Sequence, residues 1–121
     1  MVVAQIATRE VAVVATIVPF ALFLSLTVHI AARNVLGDVP ARKALLVGPV
    51  PAVVAVVTAA LGVPALVGLA VAVVLDGAVV AYVYGPGPRL SAYITVIHFA
   101  VSVLLGAVVF GLLLLINTVP G

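Results

Sequence analysis

The sequence contains no cysteine and no tryptophan among its 121 residues. Without cysteine, the chain can form no disulfide, no thiolate metal site and no cysteine nucleophile. Without tryptophan, the aromatic belt that marks a membrane–water boundary has to come from tyrosine and phenylalanine. The tyrosines available for it are Tyr82, Tyr84 and Tyr93. The absence of cysteine excludes disulfide-stapled secreted folds and thiol chemistry.

Charge is also scarce. Charged residues make up 7% of the chain and hydrophobic residues 67%, with a mean hydropathy of +1.55. Soluble domains are about 45–50% apolar and about 25% charged. So few charged side chains cannot cover the surface of a soluble fold, and the lipid bilayer is therefore the expected partner of this chain. The formal charge of +2 comes without a basic cluster, and no nucleic-acid partner is expected.

What is present is a series of four long apolar runs separated by glycine, proline and the few charges. They cover about residues 11–32, 44–61, 65–84 and 90–117. Each is long enough to cross a bilayer as a helix. The sequence therefore predicts an all-α fold of four antiparallel transmembrane helices, in one integral membrane domain over residues 1–121 of a multi-pass cell-membrane protein.

The second run is the least regular, since Gly48, Pro49 and Pro51 lie in its first turns. Proline fits the first turn of a helix better than its interior. The regular helix is thus expected to begin near Pro49, with residues 44–48 as a lead-in. The alternative is a protein with three full spans, in which this run is re-entrant.

The few charges predict an orientation. The loops at 33–43 and 85–89 hold four of the five basic residues, namely Arg33, Arg42, Lys43 and Arg89. Arg9 alone lies on the side of the termini and the 62–64 turn. Because positively charged loops stay in the cytoplasm, we expect these two loops inside and both termini outside. The N-terminus lacks a basic region and a cleavage site, so the first run is interpreted as a retained helix and not a signal peptide.

Asp76 is the one acidic residue inside an apolar run, and His98 lies about as far beyond the 85–88 linker as Asp76 lies before it. On antiparallel helices the two reach the same depth. Polar residues accompany His98 at helical spacing on one face: Ser91, Thr95 and Ser102. Gly68 and Ala72 share a stripe with Asp76, where small residues allow close helix packing. This intramembrane polar cluster is interpreted either as a packing fastener or as a proton- or ion-responsive pair lining a pathway.

A secondary candidate site is formed by Ser25 and His29, which share a face near the end of the first run. We interpret His29 there as an interfacial polar anchor. No catalytic residue, metal site or cofactor is expected. The chain has no Gly-x-Ser-x-Gly elbow and no Ser-x-x-Lys motif, and its two histidines lie on different helices with no ligand four residues away.

The four-run layout, the near absence of lysine and the valine- and alanine-rich runs resemble uncharacterised small four-span membrane proteins of halophilic archaea. This resemblance implies no activity. The expected function is non-enzymatic: an accessory subunit of a membrane complex or a homo-oligomer, acting through helix packing. The alternative is a small proton- or ion-coupled transporter or channel that uses Asp76 and His98.

Overall fold

The computed structural model describes the backbone of residues 2–120 and the side chains of residues 8–120. The described chain is helical, with no strand, and consists of α1 (Val2–Leu36), α2 (Ala41–Val47), α3 (Pro49–Ala60), α4 (Ala65–Tyr84) and α5 (Pro88–Thr118). Four helical segments are long and apolar enough to cross a membrane: Thr8–Leu36, Ala41–Ala60, Ala65–Tyr84 and Pro88–Thr118. The second of these combines α2 and α3.

The third and fourth apolar runs coincide closely with α4 and α5, whereas the first helix is longer than its apolar run. It continues through Arg9 and Glu10 at one end and through Arg33 and Asn34 at the other. Charged and amide side chains do not by themselves end a helix, so the apolar run corresponds only to the apolar middle part of α1. Pro19 lies inside α1 without ending it.

The second run differs in a more informative way, because it is two helices. The lead-in predicted at 44–48 belongs to a regular helix that begins earlier, at Ala41, directly after Pro40. A new helix begins at Pro49, after Gly48, whose own backbone stays in the right-handed helical region. Proline removes a backbone N–H and crowds the preceding turn. The two helices therefore follow each other with a local break instead of a loop.

The helices form a ring of four segments. Helix α1 packs against α2, α3 and α5, and α4 packs against the same three helices. Thr27 of α1 lies beside Ser102 of α5, and Phe23, one turn earlier in α1, lies beside Gly106, one turn later in α5. Helices α1 and α5 are therefore antiparallel. Around the ring, α1 lies opposite α4, and α5 lies opposite the segment of α2 and α3.

The turn between α4 and α5 sets the register of these two helices. Gly85 ends α4 in the left-handed conformation, with φ 66°, and its N–H donates to the carbonyl of Ala81. Gly87 has φ 94°, and Pro88 begins α5. Side-chain-bearing residues rarely adopt such φ values. This short, stiff connection makes α5 run back directly beside α4.

The half of the bundle nearest the 37–40 and 85–87 loops is solidly packed, and we call it the packed half. Its core joins α1, α2, α4 and α5 through seven buried residues: Val28, Ala31, Ala32, Ala44, Val47, Val80 and Ile94. Val28, Val47, Val80 and Ile94 are completely inaccessible. The opposite half, towards the 61–64 turn, is called the open half here.

Beyond the open half, α1 and α5 both continue as exposed helices. Every residue of α1 from Arg9 to Thr16 is exposed, and so is every residue of α5 from Ala107 to Thr118. At about 1.5 Å per residue, α5 is roughly 46 Å long, whereas α4 is roughly 30 Å long. We call these exposed segments, residues 9–16 and 107–118, the outer ends.

Candidate functional site: a buried aspartate–histidine pair beside a cavity

Asp76 and His98 form a direct hydrogen bond between α4 and α5. Oδ2 of Asp76 lies 2.6 Å from Nδ1 of His98, and both residues are 3% exposed. Buried charges in apolar surroundings are costly unless they are paired. The matched distance of the two residues from the 85–88 linker is the reason that they meet. We call them the Asp76–His98 pair.

The second ring nitrogen of His98 is held by the main chain of α1. Nε2 lies 3.1 Å from the carbonyl oxygen of Leu24. A carbonyl oxygen can only accept, so Nε2 carries a hydrogen and donates it. One further proton then lies between Nδ1 of His98 and Oδ2 of Asp76. Whichever atom holds that proton, the pair as a whole is neutral.

Two hydroxyl groups extend this network along α1 and α5. The hydroxyl of Ser102 donates to Oγ1 of Thr27 at 2.9 Å, and Thr27 donates to the carbonyl of Leu24 at 3.1 Å. The Leu24 carbonyl therefore accepts from both Thr27 and His98. The network joins α1, α4 and α5, and it fixes the orientation of the imidazole ring.

The other carboxylate oxygen of Asp76, Oδ1, is buried and has no hydrogen-bond partner among the described residues. Buried polar atoms in folded proteins nearly always have a partner. A carboxylate can accept several hydrogen bonds, and here half of that capacity is unused. The free oxygen is the most unusual feature of the pair.

A cavity of about 690 Å³ occupies the open half and reaches the Asp76–His98 pair. Its walls are mostly apolar and include three phenylalanines, Phe20, Phe23 and Phe99. The polar side chains on its walls are Thr58, Asp76, Thr95, His98 and Ser102. Leu69, Phe99 and Val103 line it and are also 44%, 43% and 53% exposed. The cavity is therefore open to the surroundings of the bundle.

On the opposite side of the pair the bundle is closed. Val80 lies one turn from Asp76 on α4, and Ile94 lies one turn from His98 on α5. Both are completely buried in the core of the packed half. Access to the Asp76–His98 pair therefore comes from one side only.

The small residues near the pair serve two different purposes. A Cβ atom at Gly68 would lie 2.8 Å from Oγ1 of Thr58, and one at Gly77 would lie 3.2 Å from Oγ1 of Thr95. Helices therefore approach closely at both glycines, as small residues allow. Gly68 and Ala72 also line the cavity, whereas Gly77 is not among its lining residues. One stripe thus produces both a close contact and an empty space.

The structure places the predicted cluster as follows. Thr95 and Ser102 line the cavity beside His98, and Ser91 is buried one turn before Thr95. Ser91 donates to the carbonyl of Gly87, and Thr95 donates to that of Ser91. Ser91 therefore belongs to the first turns of α5 and is not among the residues that line the cavity.

The secondary candidates, Ser25 and His29, do not belong to this site. Ser25 donates to the carbonyl of Ala21 and is buried where α1 meets Gly48. A Cβ atom at Gly48 would lie 2.6 Å from Cα of Ser25, so the two backbones are in contact. His29 is half-buried, and its Nδ1 is buried without a partner among the described residues. The other ring nitrogen, Nε2, is not among the buried atoms that lack a partner, so the role of interfacial anchor stays a prediction.

Several contributors to the site had no sequence signal of their own. The Leu24 carbonyl is a main-chain group, and its side chain gives no hint of it. Thr27 lies in an apolar run, where a threonine usually bonds its own helix. The phenylalanines of the cavity look like ordinary lipid-facing residues. Helical spacing places Phe20 and Phe23 on one face of α1, but it does not show which helix that face meets.

The arrangement does not match a nucleophilic triad, because the ring nitrogen that would activate a nucleophile donates to a backbone carbonyl. Within the part of the chain that the structure describes, no three His, Cys, Asp or Glu side chains come together. Among the described residues, what the site offers chemically is an acceptor without a partner, Oδ1 of Asp76, and a proton shared within the pair.

A family model described as a family of unknown function, DUF7473, matches residues 7–120. The chain therefore belongs to this family. No curated protein and no solved structure matches the chain. The family match names no source organism, so the resemblance to proteins of halophilic archaea stays a prediction.

Proposed function

We propose that this member of DUF7473 is a small multi-pass membrane protein of the transporter class, which binds a small, largely apolar substrate against the Asp76–His98 pair. The observation that carries this proposal is the buried, unpartnered Oδ1 of Asp76 beside a cavity of about 690 Å³. Ligand sites are typically clefts of about 300–1,000 Å³, mostly apolar with a few polar groups. The cavity has that size and composition.

Placement in a bilayer is part of the proposal. The four candidate spans carry their exposed apolar residues on the outside, and α4 has roughly the 30 Å length of a hydrocarbon core. Two cation–aromatic contacts lie at the packed end of the bundle. The Lys43 ammonium and the Arg89 guanidinium each lie 5.9 Å from a ring centroid, of Tyr84 and Tyr93 respectively. Such pairs suit the boundary between hydrocarbon and water.

The same end carries four of the five basic residues, and we propose that it faces the cytoplasm, with both termini outside. Because the chain has no cysteine, single cysteines report this directly. Asp38→Cys should resist a membrane-impermeant thiol reagent in intact cells, and Asn117→Cys should react. Labelling of position 38 before lysis contradicts the orientation.

One-sided access supports a transporter over a channel. A channel needs a continuous path, whereas the core around Val80 and Ile94 closes the cavity beyond the pair. A site that is reached from one half of the bundle and closed beyond the pair is compatible with a transporter in one of its alternating states.

Binding of 2-phenylethanol, a neutral probe with an aromatic body and one hydroxyl, tests the cavity as a ligand site. Calorimetric titration in mild detergent should give saturable binding to the parent protein. Ala72→Leu adds three carbons to the cavity wall one turn from Asp76, and it should weaken binding at least tenfold.

The matched control is Ala70→Leu, on the same helix at an exposed position that does not line the cavity. It should bind the probe like the parent. Equal titrations for all three proteins, or no saturable binding to the parent, contradict the proposed site.

A second candidate function is favoured by a separate observation, the exposed outer ends of α1 and α5. The outer end of α5 presents a continuous apolar surface that includes Leu112, Leu113, Leu114, Leu115 and Ile116. An accessory subunit or a homo-oligomer would use such surfaces for helix packing. Native mass measurement in mild detergent distinguishes a monomer from a homo-oligomer. A purely monomeric protein contradicts self-association.

A further inference from the structure

We propose that the substrate is an organic primary ammonium ion with an apolar body, and that it binds by exchanging one-for-one with the proton of the Asp76–His98 pair. This inference rests on the proposed function and names the chemical class of its substrate. It is carried by three observations together: the free Oδ1 of Asp76, the neutral charge of the pair, and the aromatic, apolar walls of the cavity.

The hydrogen-bonding capacity of the site matches an ammonium group. Oδ1 of Asp76 is an acceptor without a donor. If the shared proton leaves, Oδ2 of Asp76 and Nδ1 of His98 become acceptors as well, since the Leu24 carbonyl keeps the remaining hydrogen on Nε2. The site then offers three acceptors, and a primary ammonium has three N–H donors. The hydroxyl oxygens of Thr95 and Ser102 line the same cavity.

The charge balance requires the exchange. The pair is neutral with its shared proton, so an ammonium ion added to it would leave one uncompensated positive charge in a buried, apolar site. Such a charge is very costly away from water. When the proton leaves, the Asp76 carboxylate and the ammonium neutralise each other. The N–H or O–H bond of the pair breaks heterolytically, and a water or buffer base at the cavity opening accepts the proton.

Among the described residues, no other titratable side chain lines the cavity. His29 of α1, Lys43 of α2 and Tyr84 of α4 lie towards the packed end of the bundle, and Arg9 and Glu10 lie on the outer end of α1. Helix α3 carries no titratable side chain, and those of α5 besides His98 are Arg89 and Tyr93 near its start. The exchanged proton is therefore assigned to the Asp76–His98 pair.

The rest of the cavity suits the organic part of such a cation. Phe20, Phe23 and Phe99 provide aromatic surface, which packs against an apolar body and attracts a nearby cation. A hydrated inorganic cation would find few oxygen ligands here, since the walls are mostly apolar. The structure thus favours an organic ammonium over Na⁺ or K⁺.

Proton release tests the exchange on the unmodified protein. Phenethylamine is titrated calorimetrically in buffers of different ionisation enthalpy, which gives the number of protons released per molecule bound. We expect one. Affinity should also rise as the pH rises, as long as the alkyl ammonium itself stays protonated. The neutral isostere 2-phenylethanol should release none and show no such slope.

Two comparisons separate this inference from the proposed function. If both probes bind and neither releases a proton, the exchange is overturned while the ligand site stands. If neither binds, the proposed function itself fails. Asp76→Asn keeps the shape and a hydrogen bond to His98 but lacks the carboxylate that the exchange requires, so it should lose proton release with phenethylamine. Unchanged proton release in this variant overturns the assignment to the pair.

Discussion

The packed half and the open half of this bundle are built from the same helices, and they differ in side-chain size along a single stripe of α4. At intervals of four residues the stripe reads Gly68, Ala72, Asp76, Val80 and Tyr84. The small end borders the cavity, and the large end belongs to the core. Apolar composition alone does not give a closely packed bundle, because packing density depends on the volumes of the side chains along each helix face. The acid lies where the stripe changes from small to large.

The largest effect is expected from removing His98, which lies at the boundary between the packed half and the open half. His98→Leu deprives Asp76 of its hydrogen bond in a buried site, and loss of one member of such a pair costs about 3–5 kcal/mol. Thermal unfolding in mild detergent measures the effect. Asp76→Asn, which keeps a hydrogen-bonding group, should cost much less.

The double variant Asp76→Leu with His98→Leu leaves no member of the pair unpartnered, and it should recover part of the loss. Together with the single leucine variants it completes a double-mutant cycle. Effects that add within about 0.5 kcal/mol would show that the two side chains are not coupled.

A second test compares truncations in the two halves. Ile94→Ala opens a space in the packed half at a completely buried position, and such changes cost about 2–5 kcal/mol. Phe99→Ala removes a larger side chain that is 43% exposed and borders the cavity. We expect less than half the loss there, although more atoms are removed. Equal losses in thermal unfolding experiments would contradict the division into two halves.

A third test concerns the contact between α1 and the break at Gly48. Gly48→Ala places a methyl group against the main chain of Ser25, which cannot move aside as a side chain can. Overpacking costs typically about 1–3 kcal/mol, and we expect the upper part of that range. Gly111→Ala is the control, because a Cβ atom there meets no other atom within 4 Å. A Gly48→Ala protein as stable as Gly111→Ala would exclude the close contact.

The smallest effect is expected at Ala72. From the sequence, Ala72→Leu should overpack a helix interface, but in the structure the added carbons enter the cavity. We therefore expect a stability change within about 0.5 kcal/mol, whereas Ala44→Leu in the filled core should cost about 1–3 kcal/mol. Similar losses for the two variants would mean that the open half is as well packed as the other.

These comparisons show what the sequence could predict. The all-helical fold and the lengths of α4 and α5 follow from apolar runs, and matched distances from the 85–88 linker identify Asp76 and His98. Gly48 was visible in the sequence as a turn signal, but its contact with Ser25 was not. A glycine can mark either a break in a helix or a close contact between helices, and the sequence does not tell the two apart. Nor could spacing distinguish Gly68, which approaches Thr58 and also lines the cavity, from Ala72, which lines the cavity. That distinction depends on how far the neighbouring helix lies, and only the tertiary structure fixes it.

The Leu24 carbonyl has a consequence for how this site can vary among related chains. One hydrogen-bond partner of the imidazole is the side chain of Asp76, but the other is a main-chain oxygen. Any residue at position 24 provides the same main-chain carbonyl, so neither a sequence alignment nor an alanine scan detects this hydrogen bond to His98. This hydrogen bond is lost if the register of α1 shifts. It is weakened if the amide bond after Leu24 is replaced by an ester, because an ester carbonyl is a poorer acceptor. A family could therefore keep the same histidine tautomer while position 24 drifts freely.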